Sequence, residues 1–97
     1  MKILLILSLI LVQAISHNIL DFGAIENDAT WLAEDRNAKA IKKAFEAAHN
    51  KDKGDKTVVI PEDITISSMP IYVANVTDVD FVIDGTLLIS KHYEAFS

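Results

Sequence analysis

Acidic side chains are the most plentiful reactive groups in this sequence, fourteen Asp and Glu against nine Lys and Arg. Three of them adjoin apolar runs and are the ones to weigh as acids or bases: Asp84, Asp80 and Asp21. Asp84 stands in Ile83-Asp84-Gly85-Thr86, where an Asx-type corner accounts for it without catalysis, because Asp bonds to nearby backbone and Gly tolerates positive φ. Asp80 has the opposite parity from Phe81, which puts it on the solvent side of a strand. Asp21, just before Phe22-Gly23, reads as a local backbone acceptor. No position is therefore assigned as catalytic. His17, His49 and His92 are far apart, with no carboxylate or second histidine at ligand spacing, so no metal site is assigned. The three glycines stand alone and build no phosphate cradle, and no cofactor is expected. Without cysteine the chain has neither thiolate chemistry nor a disulfide. One modification signal remains. Asn75-Val76-Thr77 is an N-glycosylation triplet in a turn-like stretch, which makes Asn75 the glycosylation candidate.

The elements that would position these groups change period along the chain. From Asp35 to His49 apolar residues recur at helical spacing, with Ala38, Ile41, Phe45 and Ala48 on one stripe. Asp35 is the expected N-cap, and Lys42 is placed to pair with Glu46 across one turn. Gly54 turns the charged loop that follows. Trp31-Leu32 reads as an apolar pair in a polar loop, with Trp31 packing on the body or stacking on a sugar ring; packing is the favoured reading. Ile19, Leu20 and Phe22 suit a short strand ended by Gly23. After the helix the chain reads as strand and corner: Thr57–Ile60 closed by Pro61, Ile64–Ile66, Ile71–Val73, then two strands around Asp84-Gly85, the first carrying Phe81 and Ile83 on one face and the second Leu87 and Ile89 on one face. Asp84-Gly85 is either a tight hairpin or a corner where the chain changes direction without folding back on its neighbour. The offset from Val58 to Phe81 suits stacked repeats. Lys91, His92, Tyr93 and Phe96 follow the last strand and either touch a sugar or pack on a further layer outside this chain; packing is the favoured reading.

Met1-Lys2 precedes an apolar run from Ile3 to Val12 broken only by Ser8. The run is too short to cross a bilayer unaided and has the length of a secretory signal core. Small residues allow a cut after Ala14 or after Ser16, and the second is favoured. The expected organisation is a signal peptide over 1–16 and a secreted, extracellular domain over 17–97. The formal charge of −5 argues against a grip on nucleic acid or on anionic membrane. An end layer of strands left uncovered exposes apolar surface or unpaired backbone. The sequence is accordingly expected to be a truncated piece of a longer chain.

Four segments together carry a family resemblance. They are Asn18-Ile19-Leu20-Asp21-Phe22-Gly23-Ala24, the helix from Asn37 to Ala48, Thr57-Val58-Val59-Ile60-Pro61, and Ile83-Asp84-Gly85-Thr86-Leu87-Leu88. In order and spacing this set resembles the N-terminal segment of the polygalacturonase-type glycoside hydrolases, within the pectin-degrading right-handed β-helix superfamily. It covers nearly all of residues 17–90. The chain departs from the family pattern at Glu26–Ala29, at Leu32–Asn37, and at Glu62-Asp63 after Pro61. The resemblance implies an all-β fold, a right-handed parallel β-helix with its capping helix and first coils only. It also implies a parent that hydrolyses α-1,4-galacturonan or a related pectic polymer by an acid–base carboxylate pair, monomeric at full length, whose polysaccharide contacts lie in coils outside this chain. This piece alone is then inactive. The alternative is a non-catalytic β-helix protein that binds carbohydrate or protein; a third and less favoured reading is a small independent α+β domain, whose strands would have to close a sheet unaided.

Overall fold

A computed structural model describes residues 16–49 and 56–90 of the chain. The element order is β1 (Ser16–Asn18), a 3-10 turn (Ile19–Phe22), α1 (Trp31–His49), β2 (Thr57–Ile60), β3 (Thr65–Ser68), β4 (Asp80–Ile83) and β5 (Thr86–Ile89). All pairings are parallel. One sheet has the order β1-β2-β4 and the other pairs β3 with β5. Residues 1–15 of the expected signal peptide over 1–16, the expected turn at Gly54, and Lys91, His92, Tyr93 and Phe96 lie outside the described residues.

This arrangement corrects the expected all-β, right-handed parallel β-helix. The described chain is a small mixed α/β structure, with one helix and short parallel strands in two small sheets. Two physical reasons stand out. The helix is the largest described element and supplies much of the core, with Ile41, Ala44 and Ala48 packed against Ile19, Val58, Ile60 and Ile66. A third side of strands does not form either. The expected strand Ile71–Val73 is irregular and pairs with no strand among the described residues. That connection ties instead to the helix, where the Thr77 N–H donates to His49 Nδ1 at 3.2 Å.

The helix starts four residues before the expected cap. Thr30 begins it: its Oγ1 accepts from the Ala33 N–H at 3.3 Å and its carbonyl accepts from the Glu34 N–H at 2.9 Å. Trp31 and Leu32 are therefore helical, not loop. Asp35 sits inside the first turns and pairs with Lys39 at 2.9 Å, across the turn before the expected Lys42–Glu46 pair. The buried stripe also sits differently, on Ala33, Asn37, Ala40, Ile41, Ala44 and Ala48, with Ala38 and Phe45 only half-buried at its border. Phe45 meets Phe81 edge-on at 5.2 Å between ring centroids.

Ile19–Phe22 also forms a 3-10 turn in place of the expected strand. Asn18 caps it, its Oδ1 accepting from the Leu20 N–H at 2.9 Å, and Gly23 closes it at φ 98°. The left-handed region is open to glycine at little cost. The strand precedes this turn, at Ser16–Asn18, and pairs with Thr57–Val59.

Asp84-Gly85 is a corner and not a hairpin, because β4 and β5 belong to different sheets. The main chain holds it: the Asp84 and Gly85 N–H groups both donate to the Ile60 carbonyl, at 3.0 and 3.3 Å, and the Thr86 N–H donates to Ile64 at 3.0 Å. Glycine is needed here for close approach. A methyl at position 85 would run into the carbonyl oxygens of Pro61 and Ile64. The corner of one layer thus nests in the corner of the layer below it.

Candidate interaction surface

The offset noted between Val58 and Phe81 is a strand register. Val58 pairs with Phe81 and Ile60 with Ile83 across β2 and β4, while Ile66 pairs with Leu87 and Ser68 with Ile89 across β3 and β5. In a parallel ladder, paired residues point to the same face. Val58, Ile60, Ile66 and Ser68 are all fully buried, so Phe81, Ile83, Leu87 and Ile89 continue inward-facing rows. Yet Ile83 is 44% exposed and Ile89 49% exposed. On the other parity Val82 and Leu88 are exposed as well. The faces read from the sequence hold; the burial that should accompany them stops one layer short. β4 and β5 are also the outer strands of their sheets, without a further strand partner among the described residues.

The opposite side of the stack is closed by hydrogen bonds. Asn37, fully buried on α1, is the centre of that closure. Its Oδ1 accepts from the Ile25 N–H at 2.6 Å, and its Nδ2 donates to the carbonyls of Ile25 at 3.0 Å and Ser67 at 2.8 Å. Asn27, at φ 57°, donates its N–H to the Thr65 carbonyl at 2.8 Å and accepts the Thr65 N–H at 3.3 Å. The Met69 N–H donates to the Glu34 carbonyl at 3.1 Å. The edge of β3 turned toward the loop and helix is thereby satisfied without a strand. Among the described residues, one side is capped and the other is apolar and strand-edged, with no further strand upon it.

The carboxylates weighed from the sequence do not converge. Asp84 and Asp80 are exposed at opposite ends of β4, and Asp21 is exposed on the 3-10 turn. The Asp84 carboxylate makes no hydrogen bond among the described residues, so the corner is not of the Asx type. Asp21 is likewise not the local acceptor; Asn18 has that role. Asp28, not singled out beforehand, forms the local turn that precedes the helix. The Thr30 N–H, donating at 2.9 Å, and then the Thr30 hydroxyl hold its carboxyl below the ordinary value of 3.8. His17 packs near Phe22 with 6.3 Å between ring centroids, and its buried Nδ1 has no partner among the described residues. His49 is engaged by Thr77, and His92 lies outside the described residues. Among the described residues no group of three or more His, Cys, Asp or Glu is placed to hold a metal ion. Trp31 is 45% exposed at the head of the helix, a helical residue and not the loop residue expected. Asn75 is exposed.

An open cleft of about 660 Å³ runs between the 3-10 turn and the outer face of α1. Phe22 and Leu32 give it apolar wall, and Arg36 and Lys43 bring positive charge. Asp28 and Asp35 share the same cleft, and Lys39 is already paired with Asp35. Mixed charge on exposed side chains builds no single-sign field for an anionic ligand. The β4–β5 side is the better-defined feature. Compared with protein-family models, curated proteins and solved structures, the chain matches none.

Proposed function

We propose that this chain is a non-catalytic, strand-presenting unit of a secreted polysaccharide hydrolase, and that its β4–β5 side receives further parallel strands of that hydrolase. The observation that carries the reading is the pair Ile83 and Ile89, which continue buried rows and are nonetheless about half exposed. Isolated exposed apolar residues are ordinary, but a row aligned with a buried core and bordered by open strand edges is a surface suited to strand addition. Pairing there would satisfy the outer backbone groups of both sheets and bury both isoleucines in one step.

The chemistry of the parent comes from the sequence resemblance. The opening segment, the helix, the Pro61 strand and the Asp84-Gly85 corner resemble the first segments of polygalacturonase-type hydrolases. On this reading the substrate is galacturonan or a related pectic polymer. On the same reading its acid and base come from outside this chain, since no position here matches the family's catalytic motifs and Asp21, Asp80 and Asp84 do not converge. The test uses the native secreted protein that carries this sequence. Release of reducing ends from polygalacturonate, unchanged by Asp80→Asn and Asp84→Asn, is the expected result. Absence of hydrolysis across pectic substrates would remove the hydrolase from the proposal, and loss of activity in either variant would overturn the non-catalytic role.

A further inference from the structure

We infer that Asn75 is the acceptor of an N-linked glycan, placed on the irregular connection between β3 and β4. None of the other asparagines, Asn18, Asn27, Asn37 and Asn50, begins an Asn-X-Ser/Thr triplet. The described ones are also occupied: Asn18 caps the 3-10 turn, Asn27 bonds to Thr65, and Asn37 is buried with three hydrogen bonds. Asn75 differs on every count. It is exposed, its carboxamide makes no hydrogen bond among the described residues, and its φ of 60° puts it at a bend of the backbone. Val76 in the middle position is not proline, which the acceptor triplet forbids. Thr77 is exposed, and its main chain is tied to the helix end through His49 while its hydroxyl makes no hydrogen bond among the described residues. Both groups that an oligosaccharyl transferase must engage, the amide at the first position and the hydroxyl at the third, are thus presented on one accessible turn. A surface loop of a secreted chain is where this modification is made and retained.

The co-reactant is an oligosaccharide carried on a lipid pyrophosphate. A bond forms between Asn75 Nδ2 and the anomeric carbon of the first sugar. The bond from that carbon to the phosphate oxygen breaks, and the lipid pyrophosphate leaves with the bonding pair. One amide proton passes to a base of the transferase.

The inference rests on the secretory part of the proposed function, and the experiment separates the two. The full chain is expressed in a eukaryotic secretory cell, once with its own leader and once with residues 1–16 replaced by a leader of proven activity. Peptide mapping of the secreted protein, before and after peptide N-glycosidase, is the readout. Expected are a glycopeptide spanning Asn75, its conversion to Asp at position 75 on enzyme treatment, and retention of the glycan in Thr77→Ser. Asn75→Gln and Thr77→Ala are each expected to be secreted without it; the second leaves the left-handed residue untouched, so a folding defect at position 75 cannot imitate the result. Failure of only the native leader counts against the secretory reading. An unmodified Asn75 on protein secreted by either leader overturns the glycan.

Discussion

Replacing Asn37 with alanine should unfasten the capped side of the molecule. The substitution deletes three hydrogen bonds, one from the Ile25 N–H and two to the carbonyls of Ile25 and Ser67. Each such bond contributes about 1 kcal/mol net, and a buried group left without a partner costs about 1–3 kcal/mol. Ser67 is only 6% exposed, so its carbonyl has little access to water as a replacement. The expected loss is about 3 kcal/mol, since part of the Ile25 segment can turn to solvent. For a unit of this size that lowers the melting temperature by roughly 12–24 °C. Urea unfolding followed by circular dichroism and by Trp31 fluorescence would measure it, with the two probes expected to coincide. Asn37→Asp sharpens the test. Its carboxylate can still accept from Ile25, but it faces two carbonyl oxygens and a dry site, both of which favour the protonated form. The folded-state pKa of that Asp is then raised. Stability is fully present below the unfolded pKa and is lost as pH rises through the folded one, so this variant should be firmer in acid than at neutrality relative to the wild type. An Asn37→Ala protein within about 0.5 kcal/mol of the wild type would refute the clamp, being the range of an uninvolved surface position.

Gly85→Ala forces the corner away from the Pro61 and Ile64 carbonyls and should cost about 1–3 kcal/mol by thermal unfolding, the range of an overpacked site. The Asp28 carboxyl, held low by Thr30, stabilises the fold above its ordinary pKa and ceases to do so as pH falls through its lowered value. The difference in melting temperature between the wild type and Asp28→Ala should therefore narrow as pH is lowered from about 6 to about 2. Lysine at both Ile83 and Ile89 should leave the isolated chain folded and reduce its self-association in sedimentation, because a charged edge resists strand addition. The same pair of substitutions should destabilise the native protein that carries this sequence if this side is covered there.

Much of the strand stack was readable because strands carry local signals. β-branched runs, Pro61 and Asp84-Gly85 marked β2, β4 and β5, and the Val58 to Phe81 offset became their register. The parity of Phe81, Ile83, Leu87 and Ile89 also survived, since alternation needs no tertiary information. What failed depended on partners distant in sequence. Asn37 looked like an ordinary residue near a helix start, yet it spans from Ile25 to Ser67; the only hint was a polar side chain on the face that carries Ala33, Ala40 and Ala44. The helix began at Trp31 because Thr30, a weaker signal than Asp35, had the free geometry to cap it. Ile71–Val73 has strand propensity but no neighbour to pair with, and propensity alone does not make a strand. The all-β expectation failed because the helix, expected only as a cap, is the largest described element and supplies much of the core beside two small sheets. The open side was foreseen as an apolar face, but its half-exposed state could be seen only in three dimensions.

The most direct test is amide hydrogen exchange on the native protein that carries this sequence. If β4–β5 receives further strands, the amides of Asp80–Ile83 and Thr86–Ile89 should exchange as slowly as those of Thr57–Ile60 in the buried strand β2. Rapid exchange through β4 and β5 beside a protected β2 would contradict the account, leaving an open edge and no strand-receiving role.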